Sequence, residues 1–134
     1  MHRPPPAPDI VRLHRAYPGR ADQIARVRDD LAALLGGCPV AGDLILCASE
    51  LATNAVRHSR SGLHGATFTV RAEIGIGAYA RIEVADRGGP WHSPEPGRAK
   101  YHGLDIVRAL ATAWEIEGDH LGRTIWARID WPAA

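Results

Sequence analysis

The chain is poor in the residues that would cross-link it or give it a strong field. Two cysteines, Cys38 and Cys47, in 134 residues cannot build a disulfide framework. Both sit among apolar neighbours and are expected to be reduced and buried. Seven histidines and those two cysteines show no zinc-ligand spacing. Lys and Arg number 16 against 15 Asp and Glu, a net charge of +1, so no charge excess draws the chain onto nucleic acid or an anionic membrane. No apolar run approaches the roughly 20 residues that a bilayer span requires. Met1–Pro6 lacks the apolar stretch of a signal peptide, which points to the cytoplasm. There is no GxxxxGK[ST], which excludes a P-loop, and no strand followed by GxGxxG, which excludes a dinucleotide fold. At this length a two-domain enzyme is excluded as well. What is present, 46% hydrophobic and 23% charged residues, is enough for one soluble core.

Residues 1–9 are proline-rich without a hydrophobic period and read as a flexible leader; residues 10–134 read as one domain. Val11, Leu13 and Tyr17 alternate with polar residues as a strand ending at Pro18-Gly19. Ile24, Val27, Leu31, Leu34 and Leu35 recur at helical spacing, predicting a helix over 21–35 that Gly36-Gly37 and Pro39 stop. A second helix over 41–58 has a buried stripe of Leu44, Ala48, Leu51, Ala52 and Ala55, with Glu50, Asn54, Arg57 and His58 on roughly the opposite side. Residues 67–74 alternate strictly, Gly75-Ile76-Gly77 turns the chain, and residues 80–86 return as a hairpin. Residues 87–102 lose all period and gain glycine and proline; a loop of that length in a small domain is more often functional than idle. A helix resumes at Gly103 with Leu104, Val107, Leu110 and Ala111 on one face. Gly118 and Gly122 bracket a turn, and 125–131 alternate as a last strand. This order predicts an α+β fold: a two-layer sandwich, a mixed and mainly antiparallel sheet covered on one face by about three helices.

Three places carry chemistry. Asp86 has the parity of Ile82 and Val84, so it either points a carboxylate at the helix layer or caps a turn after a strand that ends at Val84. The glycines that follow, Gly88 and Gly89, leave room for a ligand or a second backbone. Glu50 and Asn54 lie one helical turn apart and offer hard oxygen ligands of the kind Mg²⁺ takes alongside phosphates and water, or else belong to a solvated polar face. His58 either continues that row or simply favours the helix C-terminus. Gly103 opens a helix directly after Arg98 and Lys100, a setting suited to phosphate.

Together these segments resemble the GHKL (Bergerat-fold) ATPases. Glu50-Leu51-Ala52-Thr53-Asn54-Ala55-Val56-Arg57-His58 is similar to their N box, and Asp86-Arg87-Gly88-Gly89-Pro90 to the first glycine box. His102-Gly103-Leu104-Asp105-Ile106-Val107 resembles the second glycine box, and Gly122-Arg123-Thr124-Ile125-Trp126-Ala127 the closing strand. The subgroup it resembles is the small anti-sigma-factor serine-kinase-like proteins of actinobacteria. The resemblance implies ATP and Mg²⁺ as ligands, with Glu50 activating a water or the acceptor hydroxyl and Asn54 ligating the metal. It implies Asp86 accepting the adenine amino group, Gly88 flanking the purine, Gly103 and Leu104 presenting N–H groups to phosphate, to which Arg98 and Lys100 are long enough to add charge, and Thr124 supporting adenine from the last strand. It implies a sigma factor and a STAS-type anti-anti-sigma protein as partners, with no direct contact to nucleic acid or membrane, and it allows a homodimer. The chain departs from the family where the lid ends, with Tyr101 in place of a glycine. Thr124 also has the opposite parity to Ile125, Ala127, Ile129 and Trp131, so either the strand bulges near Gly122 or Thr124 does not face the pocket. The functions left open are a serine/threonine kinase acting on the anti-anti-sigma partner, a nucleotide-dependent protein-binding module, and a scaffold without nucleotide, against which Glu50, Asn54 and Asp86 all speak.

Overall fold

The computed structural model describes residues 7–88 and 102–133, so Met1–Pro6 of the expected leader lies outside the described residues. The elements run β1 (Ile10–Pro18), α1 (Gln23–Leu34), α2 (Ala41–His58), a 3-10 turn (Arg60–Gly62), β2 (Thr67–Gly75), β3 (Tyr79–Asp86), α3 (His102–Leu110), β4 (Ala113–Asp119) and β5 (Gly122–Asp130). The strands form one five-stranded sheet in the order β1-β2-β3-β5-β4. Every ladder among the described residues is antiparallel, so the parallel pairing that a mixed sheet would contain is not found there.

Side-chain alternation decides which face is covered. Phe68, Val70, Ala72 and Ile74 of β2 share a face with Ala80, Ile82 and Val84 of β3 and with Ile125, Ala127 and Ile129 of β5, and all ten are buried. The helices close over this face. Val27 and Leu31 come from α1, Leu44, Ala48, Leu51, Ala52 and Ala55 from α2, and Val107 from α3, all buried. The other face carries Arg12, His14, Arg71, Glu73, Arg81 and Glu83, laced by ion pairs such as Arg12–Glu73 at 3.0 Å and Arg81–Glu83 at 3.3 Å. Among the described residues no helix is long and apolar enough to cross a membrane.

Two expectations need correction. Residues 113–119 form a strand, β4, where no strand was expected. Trp114 and Ile116 do alternate with Glu115 and Glu117, but β4 is an edge strand with most of its residues exposed, so the alternation buries little. Gly118 lies within this strand, and the chain reverses between Asp119 and Gly122. The cysteines also differ from one another. Cys47 is fully buried, and burial, aided by Asp43 and Glu50, pushes its thiol up to about 11. Cys38 is only half-buried, in the connection between α1 and α2. Neither is in a disulfide.

The passage from α2 to β2 is set by close backbone packing. A Cβ on Gly62 would stand 2.1 Å from the carbonyl oxygen of Val56, on the last turns of α2. Gly62→Ala is therefore expected to lower stability by about 1–3 kcal/mol, because a backbone atom cannot swing aside as a side chain can. Denaturant unfolding checks this, and a loss below about 0.5 kcal/mol would mean that the turn shifts freely.

Candidate functional site

Two features of the fold meet at one end of the domain. β3 ends there with Asp86, paired to Arg123 near the start of β5. The C-terminal end of α2 lies beside it, because Ser61, two residues beyond the helix-ending Ser59, accepts a hydrogen bond from the Arg87 N–H at 3.0 Å. α3 packs against the same helix. Its C-terminus leads into Thr112, whose N–H donates to the Arg128 carbonyl toward the far end of β5, and its nine residues rise about 13 Å from there. α2 packs against α3 and β3. The helix bearing Glu50 and Asn54 therefore adjoins both the end of the strand bearing Asp86 and α3.

The Asp86 alternatives are resolved in an unexpected way. β3 continues through Asp86, so the strand does not stop at Val84, yet the carboxylate also closes a turn: Oδ1 accepts the Gly88 N–H at 2.7 Å. The carboxyl is pushed above its ordinary value mainly by burial, with the Gly88 N–H and the Arg123 guanidinium and N–H pulling the other way. A half-buried acceptor whose local donors do not offset its desolvation is a ready partner for an incoming N–H donor. Gly88 has φ +72°, and a Cβ there would stand 2.4 Å from the His120 carbonyl oxygen. Of the two occupants its lack of side chain allowed, a second backbone is the one that approaches: the β4–β5 turn. Asp86 and Arg87 also line an open cleft of about 600 Å³ with Leu63, His64, Gly65, Ala66 and Leu121.

Asn54 is not on a solvated face. It is 6% exposed, and its Nδ2 is buried without a hydrogen-bond partner among the described residues. The expected two-sided division of α2 is corrected accordingly. α2 is covered by α1 on one side and α3 on the other as well as by the sheet, so its buried arc is wider than one stripe and takes in Asn54. Glu50, one turn earlier, is half-buried, as is His58 at the last residue of the helix, while Arg57 is exposed. A buried polar amide without a partner is uncommon and costly, which marks Asn54 as a group awaiting one. Among the described residues no three His, Cys, Asp or Glu side chains gather to hold a metal. An amide oxygen such as that of Asn54 is a hard donor of the kind that a cation such as Mg²⁺ takes alongside phosphate and water.

Gly103 and Leu104 stand in the first turn of α3, and Leu104 packs partly against the core. The first N–H groups of a helix have no intrahelical partner, which makes this turn suited to an anion. Arg98, Lys100 and Tyr101 lie outside the described residues. Thr124 is not brought to the others. The β3–β5 register advances one for one from Asp86↔Arg123 to Tyr79↔Asp130, so there is no bulge. Thr124 sits opposite Ala85, and directly opposed residues share a face. With His14, Thr69, Arg71 and Glu83 it lines a hollow on the helix-free face of the sheet. Sequence reasoning missed Ser61 altogether. It is fully buried between α2 and β3, yet a Ser-Arg-Ser-Gly run carries only a turn signal and no sign of burial.

Comparison with known proteins fits this geometry. A family model described as a histidine kinase-like ATPase domain matches residues 17–129. A solved structure of the RsbU and RsbW domains of Rv1364c from Mycobacterium tuberculosis is 23% identical with a TM-score of 0.69, covering 92% of this chain and 34% of that one. The chain thus spans about a third of that structure's length. The histidine kinase domain of a blue-light activated histidine kinase from Erythrobacter litoralis is 19% identical with a TM-score of 0.50, covering 95% of this chain and 69% of that one. At these identities the likeness is one of fold. No curated protein matches the chain.

Proposed function

The chain belongs to the histidine kinase-like ATPase domain family, and from that premise we propose that it binds ATP with Mg²⁺ and acts as an anti-sigma-type regulator that phosphorylates a STAS-type anti-anti-sigma partner on serine or threonine. What supports this reading is that α2, which bears the buried and unpartnered Asn54 amide, adjoins both the turn after the half-buried Asp86 carboxylate and α3, which opens with Gly103 and Leu104. Asp86 accepts the adenine amino group. Asn54 contributes one ligand to the metal, and the Gly103 and Leu104 N–H groups receive phosphate oxygens. Mg²⁺, when bound, neutralises charge on the phosphate oxygens. Glu50 takes the proton of the acceptor hydroxyl as its oxygen forms a bond to the γ-phosphorus and the bond to the ADP oxygen breaks. The likeness to a structure that holds an RsbW domain supports the regulatory part of this reading.

Incubating the protein with radiolabelled ATP and candidate STAS-type partners tests the reading. Label on the partner's serine or threonine is the expected result. Nucleotide binding without transfer to any partner would instead leave a nucleotide-dependent protein-binding module.

Asn54→Ala separates the metal from the base. ATP affinity measured calorimetrically in Mg²⁺ and in EDTA should show the metal-dependent gain reduced by about tenfold. ADP binding in EDTA should stay near wild type. A metal-dependent gain of unchanged size would remove Asn54 from the metal site.

A further inference from the structure

A chain of hydrogen bonds ties the end of α2 to the turn after β3. The Ser59 hydroxyl donates to the Ala55 carbonyl at 2.6 Å, and the Ser61 N–H donates to Ser59 Oγ at 3.0 Å. Ser61 Oγ in turn accepts the Arg87 N–H at 3.0 Å, and the next N–H, that of Gly88, binds the Asp86 carboxylate. The relay thus starts one residue beyond Asn54 and ends on Asp86. Its middle is locked. Ser61 has no solvent exposure, and its surroundings are closely packed. A Cβ on Gly19 would stand 1.5 Å from the Ser61 carbonyl oxygen, and one on Gly62 would stand 2.1 Å from that of Val56. Gly19 is itself held by its N–H to the Ala66 carbonyl at 2.9 Å. A serine with no solvent exposure, a backbone pressed against its carbonyl and one bond from its hydroxyl across to the Asp86 turn does more than end a helix.

We propose that Ser61 is a positioning residue for base recognition: it fixes the Asp86–Gly88 turn against the end of α2, and with it the direction in which the carboxylate meets an adenine amino group. The inference rests on the reading that Asp86 accepts adenine. Ser61 does not touch the nucleotide; it acts through Asp86. Its loss therefore falls on selectivity between bases more than on nucleotide binding at large.

The test compares ADP with inosine diphosphate, which lacks the exocyclic amine that Asp86 would accept. Ser61→Ala leaves the Arg87 N–H without its acceptor. ADP affinity should fall about 5–30-fold while inosine diphosphate affinity changes little, so the preference for adenine shrinks. In an Asp86→Asn background the same Ser61→Ala change should have almost no further effect, because residues that act as a unit are not additive. Exchange of the Arg87 amide hydrogen in the nucleotide-free protein should speed up about tenfold. Ser59→Ala, which loosens the same relay from the helix side, gives the same selectivity readout if Ser61→Ala folds poorly. Equal losses for both nucleotides would make Ser61 a structural residue and overturn the proposal. Full additivity with Asp86→Asn would overturn it too. A wild-type protein that does not prefer ADP over inosine diphosphate overturns the adenine reading itself, a different signature from selective binding that Ser61→Ala leaves intact.

Discussion

Asp86→Asn should weaken ADP binding by about 10–150-fold, the equivalent of about 1.5–3 kcal/mol for a charged acceptor in a desolvated pocket, without weakening the fold at neutral pH. The two halves of this expectation have one cause. Burial raises the Asp86 carboxyl above its ordinary value of 3.8, against the pull of the Gly88 N–H and Arg123. The folded protein therefore holds a proton that the unfolded chain has already lost. Stability falls as pH rises from about that ordinary value through the raised one. Asparagine has no charge to desolvate, and its Oδ1 still accepts the Gly88 N–H that Asp86 accepts at 2.7 Å. The variant's melting temperature at pH 7 should equal or exceed that of the wild type, while calorimetry reports the lost affinity. An unchanged ADP affinity removes Asp86 from base recognition. A clear drop in melting temperature would show that the carboxylate serves the fold through Arg123, and that the weak binding is secondary.

Where a pattern depends on one neighbour, the sequence shows it. The hairpin of β2 and β3 follows from a period of two with one face covered, and its register keeps Asp86 on the parity of Val84. α1 and α2 follow from their period of 3.6 and the Gly-Gly and Pro between them. Where a pattern depends on the number of neighbours, it misleads. α2 shows one apolar stripe, but α1 and α3 flank it, so Asn54 is buried among residues that its sequence neighbours Glu50 and Arg57 do not reach. β4 fails in the opposite sense: at the sheet edge it buries so little that its alternation of Trp114 and Ile116 with two glutamates has no consequence that a composition would register. Ser61 is invisible for a third reason. Its burial comes from Gly19 and Arg87, far away in the chain, and nothing local in Ser59–Gly62 encodes either contact. Thr124 shows the reverse: its parity stood against a site role from the start, and the unbroken β3–β5 register places it on the far face.

Glu50→Ala should leave nucleotide affinity near wild type and reduce phosphoryl transfer to the partner by about 10²–10⁴-fold, the range over which a positioned general base acts. Glu50 is half-buried on α2, one turn before Asn54, which on the proposed reading sets a proton acceptor beside the amide that would ligate the metal. Its contribution to binding is small on this account, because a carboxylate beside phosphate repels it in the ground state and helps only as the hydroxyl proton departs. Comparison with Asp86→Asn makes the assignment decisive. Asp86→Asn weakens binding, so its transfer rate should return toward wild type when ATP is raised to saturation, a change in KM. Glu50→Ala should stay slow at any ATP concentration, a change in kcat. If Glu50→Ala also recovers at saturating ATP, Glu50 holds the nucleotide rather than the proton. If the wild-type protein transfers no phosphate to any partner while still binding ATP, the binding-module reading replaces the kinase reading and Glu50 has no proton to take.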